Sequence, residues 1–199
     1  MTKLTILLDE NITNLDNMMK RVSVCAVEVP EGPAMEELNE IMNVINQDNV
    51  RYGDIKKMHF SELAEAQRSA IIEQISKIDV TAKMYVYYFF DETEKSSKYF
   101  AMSEAVKHLM YIHRTNKIDI KIEHADEYLK TDLKPLLAKD EVIFILPDGF
   151  LSVFVGKLDN TSSKVGTNDR MYTLIREKLR LQVFTSGLEK RYLTSNNRL

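Results

Sequence analysis

The stretch Leu4-Thr5-Ile6-Leu7-Leu8-Asp9-Glu10, close to the first residue, decides how the rest of the chain is interpreted. Its apolar part predicts a buried strand, and the two acids predict where that strand ends. A buried strand that stops at adjacent carboxylates delivers them to the rim of a sheet. Hard cations such as Mg²⁺ take oxygen ligands, so this rim is a candidate metal site. Asn11 and Asn14 follow, and a plain turn at this position stays an open alternative.

The composition is that of a globular protein. The chain has 199 residues, of which 44% are hydrophobic and 29% charged, and this is enough to bury a core in one domain. No apolar stretch approaches the roughly 18 residues of a membrane span, so we expect no membrane association. Cys25 is the only cysteine and lies in an apolar run. We expect it to pack in the core of a cytoplasmic protein.

Strand and helix patterns alternate through the first two thirds of the chain. Loose alternation from Lys20 to Val29 predicts a second strand, antiparallel to the first. Helical spacing follows Pro33, and a second helix is predicted with Ser61 as its N-cap. The aromatic run in Val80 to Phe90 predicts a central strand covered on both faces. A third helix is predicted over Lys98 to His113.

The last third is harder to divide. Ile118, Ile120 and Ile122 alternate as a strand, and Asp126 to Ala138 is predicted to be a helix despite Pro135. Pro147-Asp148-Gly149 predicts a hairpin turn between strands at Val142–Leu146 and Leu151–Val155. Polar residues over Leu158–Asp169 predict a mobile loop, and the spacing of apolar residues over Met171–Val183 predicts a last helix.

Together these patterns predict one α/β domain over residues 1–193. Its sheet is expected to be mixed, with about five or six strands, and to be flanked by helices. Residues 194–199 are expected to form a flexible tail.

Acidic residues follow three of the predicted strands, at Asp9-Glu10, at Asp91-Glu92, and at Glu123 with Asp126 just beyond. Strand ends at one edge of an α/β sheet gather functional groups, so converging carboxylates could hold one or two divalent metals. Solvent-facing turns are the alternative at each of these places. Among the histidines, His59 is the only candidate for an assisting role, because no histidine spacing resembles a zinc site.

Bases outnumber acids from Lys164 to the C-terminus, although the net charge of the chain is −3. Arg170, Arg176, Lys178 and Arg180 are therefore candidates for contact with nucleic-acid phosphates. The alternative is a solvated helix face.

Several short segments, in order along the chain, resemble a bacterial family of uncharacterised proteins with an RNase H-like fold and an N-terminal Asp-Glu-Ser-Gly motif. The segments that carry the resemblance are Leu7-Leu8-Asp9-Glu10, Val22 to Val29, Lys57 to Leu63 followed by Arg68 and Ile71-Ile72, Ile118 to Leu137, and Leu181-Gln182. Members of this family often occur with mobile elements and phage-defence genes. The resemblance implies an RNase H-like fold and a metal-dependent nuclease.

An RNase H-like site takes carboxylates from the first strand, from a middle strand or helix, and from the last helix. The resemblance therefore implies a Mg²⁺ or Mn²⁺ site with Asp9 as primary ligand, Glu10 assisting, and Glu123 or Asp126 as the second carboxylate. The motif departs from the family at Asn11-Ile12, which replaces Ser-Gly.

The end of the chain departs from the family pattern as well. Thr185 lies near the position of the closing Asp, and losing that carboxylate would weaken a second metal. Glu177 or Asp169 is a possible replacement.

Two hypotheses follow from the sequence. The first is a metal-dependent nuclease acting on DNA or RNA, with the C-terminal bases holding the phosphate backbone. The second is a catalytically inactive RNase H-like subunit that acts through a protein partner.

Overall fold

A computed structural model describes residues 3–15, 19–50, 59–90, 92–123, 126–138, 144–159 and 165–185. For 42–50, 62, 165–168 and 184–185 it describes the backbone but not the side chains. The predicted tail 194–199, Asp91 and the first two residues of the strand predicted at Val142–Leu146 lie outside the described residues.

The described chain contains one mixed sheet of five strands, as the sequence predicted. The strands are β1 (Lys3–Asn14), β2 (Met19–Pro30), β3 (Thr81–Phe90), β4 (Lys117–Ile122) and β5 (Leu179–Thr185). Their order across the sheet is β4-β1-β2-β3-β5. β2 runs antiparallel to β1 and β3, whereas β4 is parallel to β1 and β5 is parallel to β3.

Helices cover both faces of the sheet. They are α1 (Pro33–Val50), α2 (Glu65–Ile75), α3 (Glu94–Ile112), α4 (Ile145–Asp159) and α5 (Val165–Ile175). Helix α3 packs on one face, which we call the α3 face, and the other four pack on the opposite face, which we call the α4 face. Among the described residues, no helix has both the length and the apolarity needed to cross a membrane.

The alternation of side chains along the strands explains the two cores. In β1, Leu7 points to the α4 face, whereas Ile6 and Leu8 point to the α3 face. Cys25 is fully buried on the α4 face, in the core where the sequence placed it. Strand β3 is buried on both faces, as predicted, although β2 is the middle strand.

The predicted hairpin around Pro147-Asp148-Gly149 is wrong, because these residues lie in the first two turns of helix α4. Proline is tolerated in a first helical turn, where its missing N–H leaves no bond unmade. Asp148 also lies near the positive end of the helix dipole. The apolar run on both sides of the turn signal belongs to a helix that is buried along most of its length.

The last helix ends earlier than predicted. Helix α5 stops at Ile175, a 3₁₀ turn covers Arg176–Lys178, and β5 follows with parallel pairing to β3. The spacing of Leu179, Leu181 and Val183 fits a period of two as well as a helical stripe, and pairing with β3 decides between them. The loop predicted over Leu158–Asp169 is also shorter, because α4 extends to Asp159 and α5 begins at Val165.

Two smaller predictions also fail. The described residues of Asp126–Ala138 contain only the 3₁₀ turns Asp126–Tyr128 and Lys134–Leu136, since Pro135 cannot continue an α-helical hydrogen-bond ladder. Helix α2 has Ala64 as its N-cap, because Ser61 lies inside the preceding 3₁₀ turn Phe60–Glu62.

Candidate functional site

Asp9 and Glu123 are brought together by parallel pairing of β1 and β4. Leu8 is in register with Ile122, and the Glu123 N–H donates to the Leu8 carbonyl at 3.2 Å. Asp9 is only 7% exposed, and Glu123 is half-buried. Glu123 directly follows β4, whereas Asp9 lies inside β1, which continues to Asn14 in pairing with β2. The strand end and turn predicted at Asp9-Glu10 are therefore wrong, because pairing with β2 carries β1 beyond the acids, and Asp9 meets Glu123 at the C-terminal end of β4.

The third acid near Asp9 is Asp148, in the first turn of α4. Its Oδ2 accepts a 2.6 Å hydrogen bond from the Phe60 N–H, and its Oδ1 accepts a 3.1 Å bond from the Ser152 hydroxyl. Gly149 allows the close approach of α4 to the Phe60 turn, because a Cβ there would lie 3.3 Å from Phe60 Cδ2. The Asp148 carboxylate is thus held in one orientation.

The electrostatics show that these acids act on one another. The pKa of Asp9 is raised well above its usual value of 3.8, first by burial and then by the charges of Glu10, Glu123 and Asp148. A side-chain hydrogen bond between Asp9 and Glu123 raises it further. Asp9, Glu123 and Asp148 form what we call the carboxylate cluster.

The surroundings of Asp148 favour its charged form more than those of Asp9 do. Burial raises its pKa and the charge of Glu123 adds a little, while the hydrogen bonds from Phe60 and Ser152 act against this rise. The half-exposed His59 also lowers it, since its Nδ1 lies 3.7 Å from Asp148 Oδ2. His59 is therefore placed beside the cluster.

Cys25 lies beside Asp9 on the neighbouring strand, on the α4 face of the sheet. It is the register partner of Asp9 across the β1–β2 pair. The pKa of its thiol is raised well above the usual value, first by burial and then by the charges of Asp9 and Asp148. Both acids therefore approach the same point of the sheet.

Glu10 lies on the opposite face, because successive side chains of a strand alternate. Its carboxylate is 3.4 Å from Lys98 Nζ, which also lies 3.3 Å from Glu127. Burial raises the pKa of Glu10, and the charge of Lys98 acts against this rise. The charge of Glu10 therefore acts on Asp9 across the sheet, although the two side chains lie on opposite faces.

The other acids proposed from the sequence lie elsewhere. Asp126 is exposed in its 3₁₀ turn and is not among the charges that raise the pKa of Asp9. Asp169 pairs with Lys157 at 2.5 Å, and Glu177 is exposed beside Arg176. The charges that raise the pKa of Asp9 come instead from Glu10, Glu123 and Asp148.

The four candidate phosphate-binding bases do not share one helix. Arg170 is on α5, Arg176 and Lys178 are in the 3₁₀ turn, and Arg180 is on β5. The ammonium group of Lys178 donates to the Ile78 carbonyl, and Arg180 Nη1 donates to two nearby carbonyls at 2.9 Å. The change from helix to strand at Leu179 separates these side chains.

Asp148 was missed because Pro-Asp-Gly is so typical of turns. The signal that could have found it is the length of the apolar segment around it, which exceeds that of an ordinary hairpin strand. Pro followed by an acid is also typical of a first helical turn.

The described residues contain no group of three or more His, Cys, Asp or Glu side chains arranged to hold a metal ion. The carboxylate cluster is therefore defined by burial and mutual repulsion. Comparisons of the chain with protein-family models, with curated proteins and with solved structures find no match.

Proposed function

We propose that the protein is a divalent-metal-dependent phosphodiester hydrolase acting on nucleic acid, with the carboxylate cluster as its active site. One observation carries the proposal. Asp9 is buried, and its burial and the three neighbouring charges that act on it all raise its pKa. A bound cation would stabilise the charged form of a buried acid in these surroundings.

The donor atoms suit Mg²⁺ or Mn²⁺ by type, although the described side chains are not gathered into a metal-binding group. The oxygens of Asp9, Glu123 and Asp148 are hard ligands, and they come from β1, the end of β4 and α4. A bound divalent ion supplies charge stabilisation and an activated water for attack on a phosphodiester. The hydrogen bonds of Asp148 and the backbone pairing of Glu123 fix their positions in advance, which favours catalysis.

The remaining residues have distinct roles in this proposal. His59 is half-exposed beside Asp148, so it is placed to carry a proton between the site and solvent. Glu10, held by Lys98 behind the sheet, adds negative potential at Asp9. Phage or mobile-element nucleic acid is the biological context that the resemblance to the RNase H-like family implies.

The test is cleavage of single- and double-stranded DNA and RNA with Mn²⁺ or Mg²⁺ present. We expect cleavage by the wild type and a loss of at least about a hundredfold in Asp9→Asn and Asp148→Asn, since even outer-shell partners of a metal are worth 10–100-fold. Asp126→Asn and Glu177→Gln serve as matched controls and should retain activity, because both side chains are exposed and lie outside the carboxylate cluster.

Cleavage that persists unchanged in Asp9→Asn contradicts the proposal. If every nucleic acid stays intact with the wild type under all metal conditions, the hydrolase fails and the inactive interaction subunit becomes the better hypothesis. A loss in Asp126→Asn equal to that in Asp148→Asn would assign the second carboxylate to the 3₁₀ turn instead.

A further inference from the structure

The solvent side of helix α3 carries large apolar side chains. Phe100 is 46% exposed, Met110 is 56% exposed and Tyr111 is 66% exposed. The opposite side of the same helix is buried against the sheet along most of its length. Exposed apolar side chains scattered singly are ordinary on a protein surface, whereas a group of them on one side of one helix marks an interaction surface.

Two of these side chains belong to a regular stripe, which we call the α3 stripe. Its members follow one another at spacings of four, three, four and three residues along α3 and the turn that ends it, and they are Phe100, Glu104, Lys107, Tyr111 and Arg114. Seven residues turn a helix through almost two full turns, so all five lie on one side. The same spacing forms the seam along which two helices pack side by side.

The α3 stripe is complementary to itself when two copies of the helix lie antiparallel. A twofold axis midway between Glu104 and Lys107 places Glu104 of each copy opposite Lys107 of the other. The same axis places Phe100 of each copy opposite Tyr111 of the other. Each contact then occurs twice, as in any interface between identical surfaces across a twofold axis.

The charges of the α3 stripe favour the antiparallel arrangement over the parallel one. Within one copy, Lys107 Nζ lies 2.9 Å from Glu104 Oε1 across one helical turn, and the lysine side chain is mostly exposed. Such an exposed pair contributes little to stability, so both charges can also bind a second copy. Antiparallel copies alternate the four charges, whereas parallel copies would place glutamate opposite glutamate and lysine opposite lysine.

The aromatic residues of the stripe are already in contact with neighbours in the single chain. Phe100 makes edge contacts with Tyr87 and Phe89, at ring-centroid distances of 6.4 and 5.8 Å. The Arg114 guanidinium lies over the Tyr111 ring, 5.2 Å from its centroid. Side chains that are ordered before association lose less conformational entropy in an interface, and Tyr and Arg are enriched among the residues that dominate binding.

We propose that the chain forms a homodimer through the α3 stripe, with the two helices antiparallel across a twofold axis between Glu104 and Lys107. One helix from each copy buries an area at the low end of specific interfaces, so the dimer is expected to be weak and reversible. The inference does not depend on the proposed function, because Asp148 and the helix that carries it lie on the opposite face of the sheet.

The test exchanges charges between the two copies and measures mass by sedimentation at high micromolar protein concentration. Lys107→Glu places glutamates opposite one another across the axis, and Glu104→Lys does the same with lysines. We expect each variant alone to dimerise at least about tenfold more weakly than the wild type. An equimolar mixture of the two variants should recover the dimer, because every glutamate again faces a lysine. The recovery cannot come from a pair within one copy, since neither variant retains that pair.

Two further variants separate the stripe from the rest of α3. Lys95→Glu is the matched control, because Lys95 is an exposed lysine of the same helix that lies about a third of a turn around it from Lys107. It should dimerise like the wild type. Tyr111→Ser tests the stripe without changing a charge and should weaken the dimer about tenfold or more, since tyrosines are frequent anchors of interfaces. Its Tm should stay close to that of the wild type, because the ring is exposed in the single chain.

Weak self-association of Lys107→Glu and Glu104→Lys, with a dimer in their mixture, supports the inference. A wild type that sediments as a monomer at every concentration overturns it. A mixture that stays monomeric, or a Tyr111→Ser variant that dimerises as well as the wild type, overturns it too. Equal weakening by Lys95→Glu would place the interface elsewhere and likewise contradicts the α3 stripe.

Discussion

The two ends of helix α4 carry acids on the same face of the sheet, but their surroundings are opposite. At the C-terminal end, Asp159 binds Arg21 through two hydrogen bonds of 2.6 and 2.9 Å, and Arg21 also binds the Thr13 hydroxyl. At the N-terminal end, Asp148 lies among Asp9 and Glu123, whose charges oppose one another. One end is a neutralised anchor, and the other is an accumulation of negative charge.

The α3 face supports the same distinction. Glu28 is bound by the ammonium group of Lys83 and by His113 Nε2 at 2.6 Å, and Glu10 lies between Lys98 and Tyr128. These buried acids have a cation close by. In the part of the chain that the structure describes, the carboxylate cluster has the half-exposed His59 beside it, which lowers the pKa of Asp148. Among the described residues, the acids of the candidate site are thus less compensated than Glu28 and Glu10, and a ligand would offset their charge.

The largest expected effect tests the neutralised end. Arg21→Met leaves Asp159 without its cation, and breaking a buried pair in this way should lower the free energy of unfolding by about 3–5 kcal/mol. Urea denaturation measures the change. The double variant Arg21→Met/Asp159→Leu should recover most of the loss, because no buried charge is left unpaired. If the free energy of unfolding of Arg21→Met lies within about 0.5 kcal/mol of that of the wild type, the stabilising role of the Arg21–Asp159 pair is contradicted.

A smaller effect, of opposite sign, is expected at the other end. The pKa of Asp9 is raised in the folded protein, so its ionisation opposes folding once the pH exceeds the unfolded value near 3.8. Asp9→Asn should therefore be more stable than the wild type at pH 8, by about 1 kcal/mol or more. The difference should shrink as the pH falls toward 4.

Chemical denaturation across this pH range measures the effect of Asp9→Asn. Asp126→Asn is the control and should follow the wild type at every pH. If Asp9→Asn is the less stable protein at pH 8, a cation or the 2.8 Å hydrogen bond from the Glu10 N–H to Asp9 Oδ1 offsets the charge of Asp9, and the contrast between the two ends of α4 is lost.

The smallest effect belongs to the α3 face. Burial lowers the pKa of His108, helped by the charges of Lys83 and His113, and the ring is 3.0 Å from the Tyr85 hydroxyl. Since the folded protein holds this proton more weakly than the unfolded chain, His108 makes stability fall as the pH drops through 6.5. His108→Gln should flatten that fall, with a shift in Tm below that of Asp9→Asn. Melting curves at pH 7.5 and 5.5 measure it, and parallel curves for both proteins refute it.

The sheet could be predicted from sequence because its strands carry strong local signals. β1 begins with an apolar run, β3 is an aromatic run, and β4 alternates isoleucines. The errors came where local signals compete. Pro147 fits a turn and a first helical turn equally well, and the leucines from Leu179 fit a helix and a strand. Only tertiary packing decides such cases.

The site was half predictable for a related reason. Asp9 follows the apolar run of β1 and Glu123 follows β4, so their approach could be expected if the two strands are parallel neighbours. Asp148 lies on helix α4, which the sequence predicted to be a hairpin. No local sequence pattern indicates on which part of a sheet a helix will pack. The opposite orientation of Glu10 could have been predicted, because neighbouring residues of a strand always face opposite sides.

The most direct test of the carboxylate cluster is calorimetric titration with Mn²⁺ at pH 7.5. We predict that the wild type binds Mn²⁺, because the carboxylate oxygens of the cluster are the ligands that this cation takes. Binding should be lost in Asp9→Asn and Asp148→Asn and kept in Asp126→Asn. Absence of binding to the wild type, or equal binding by Asp9→Asn, would contradict the account.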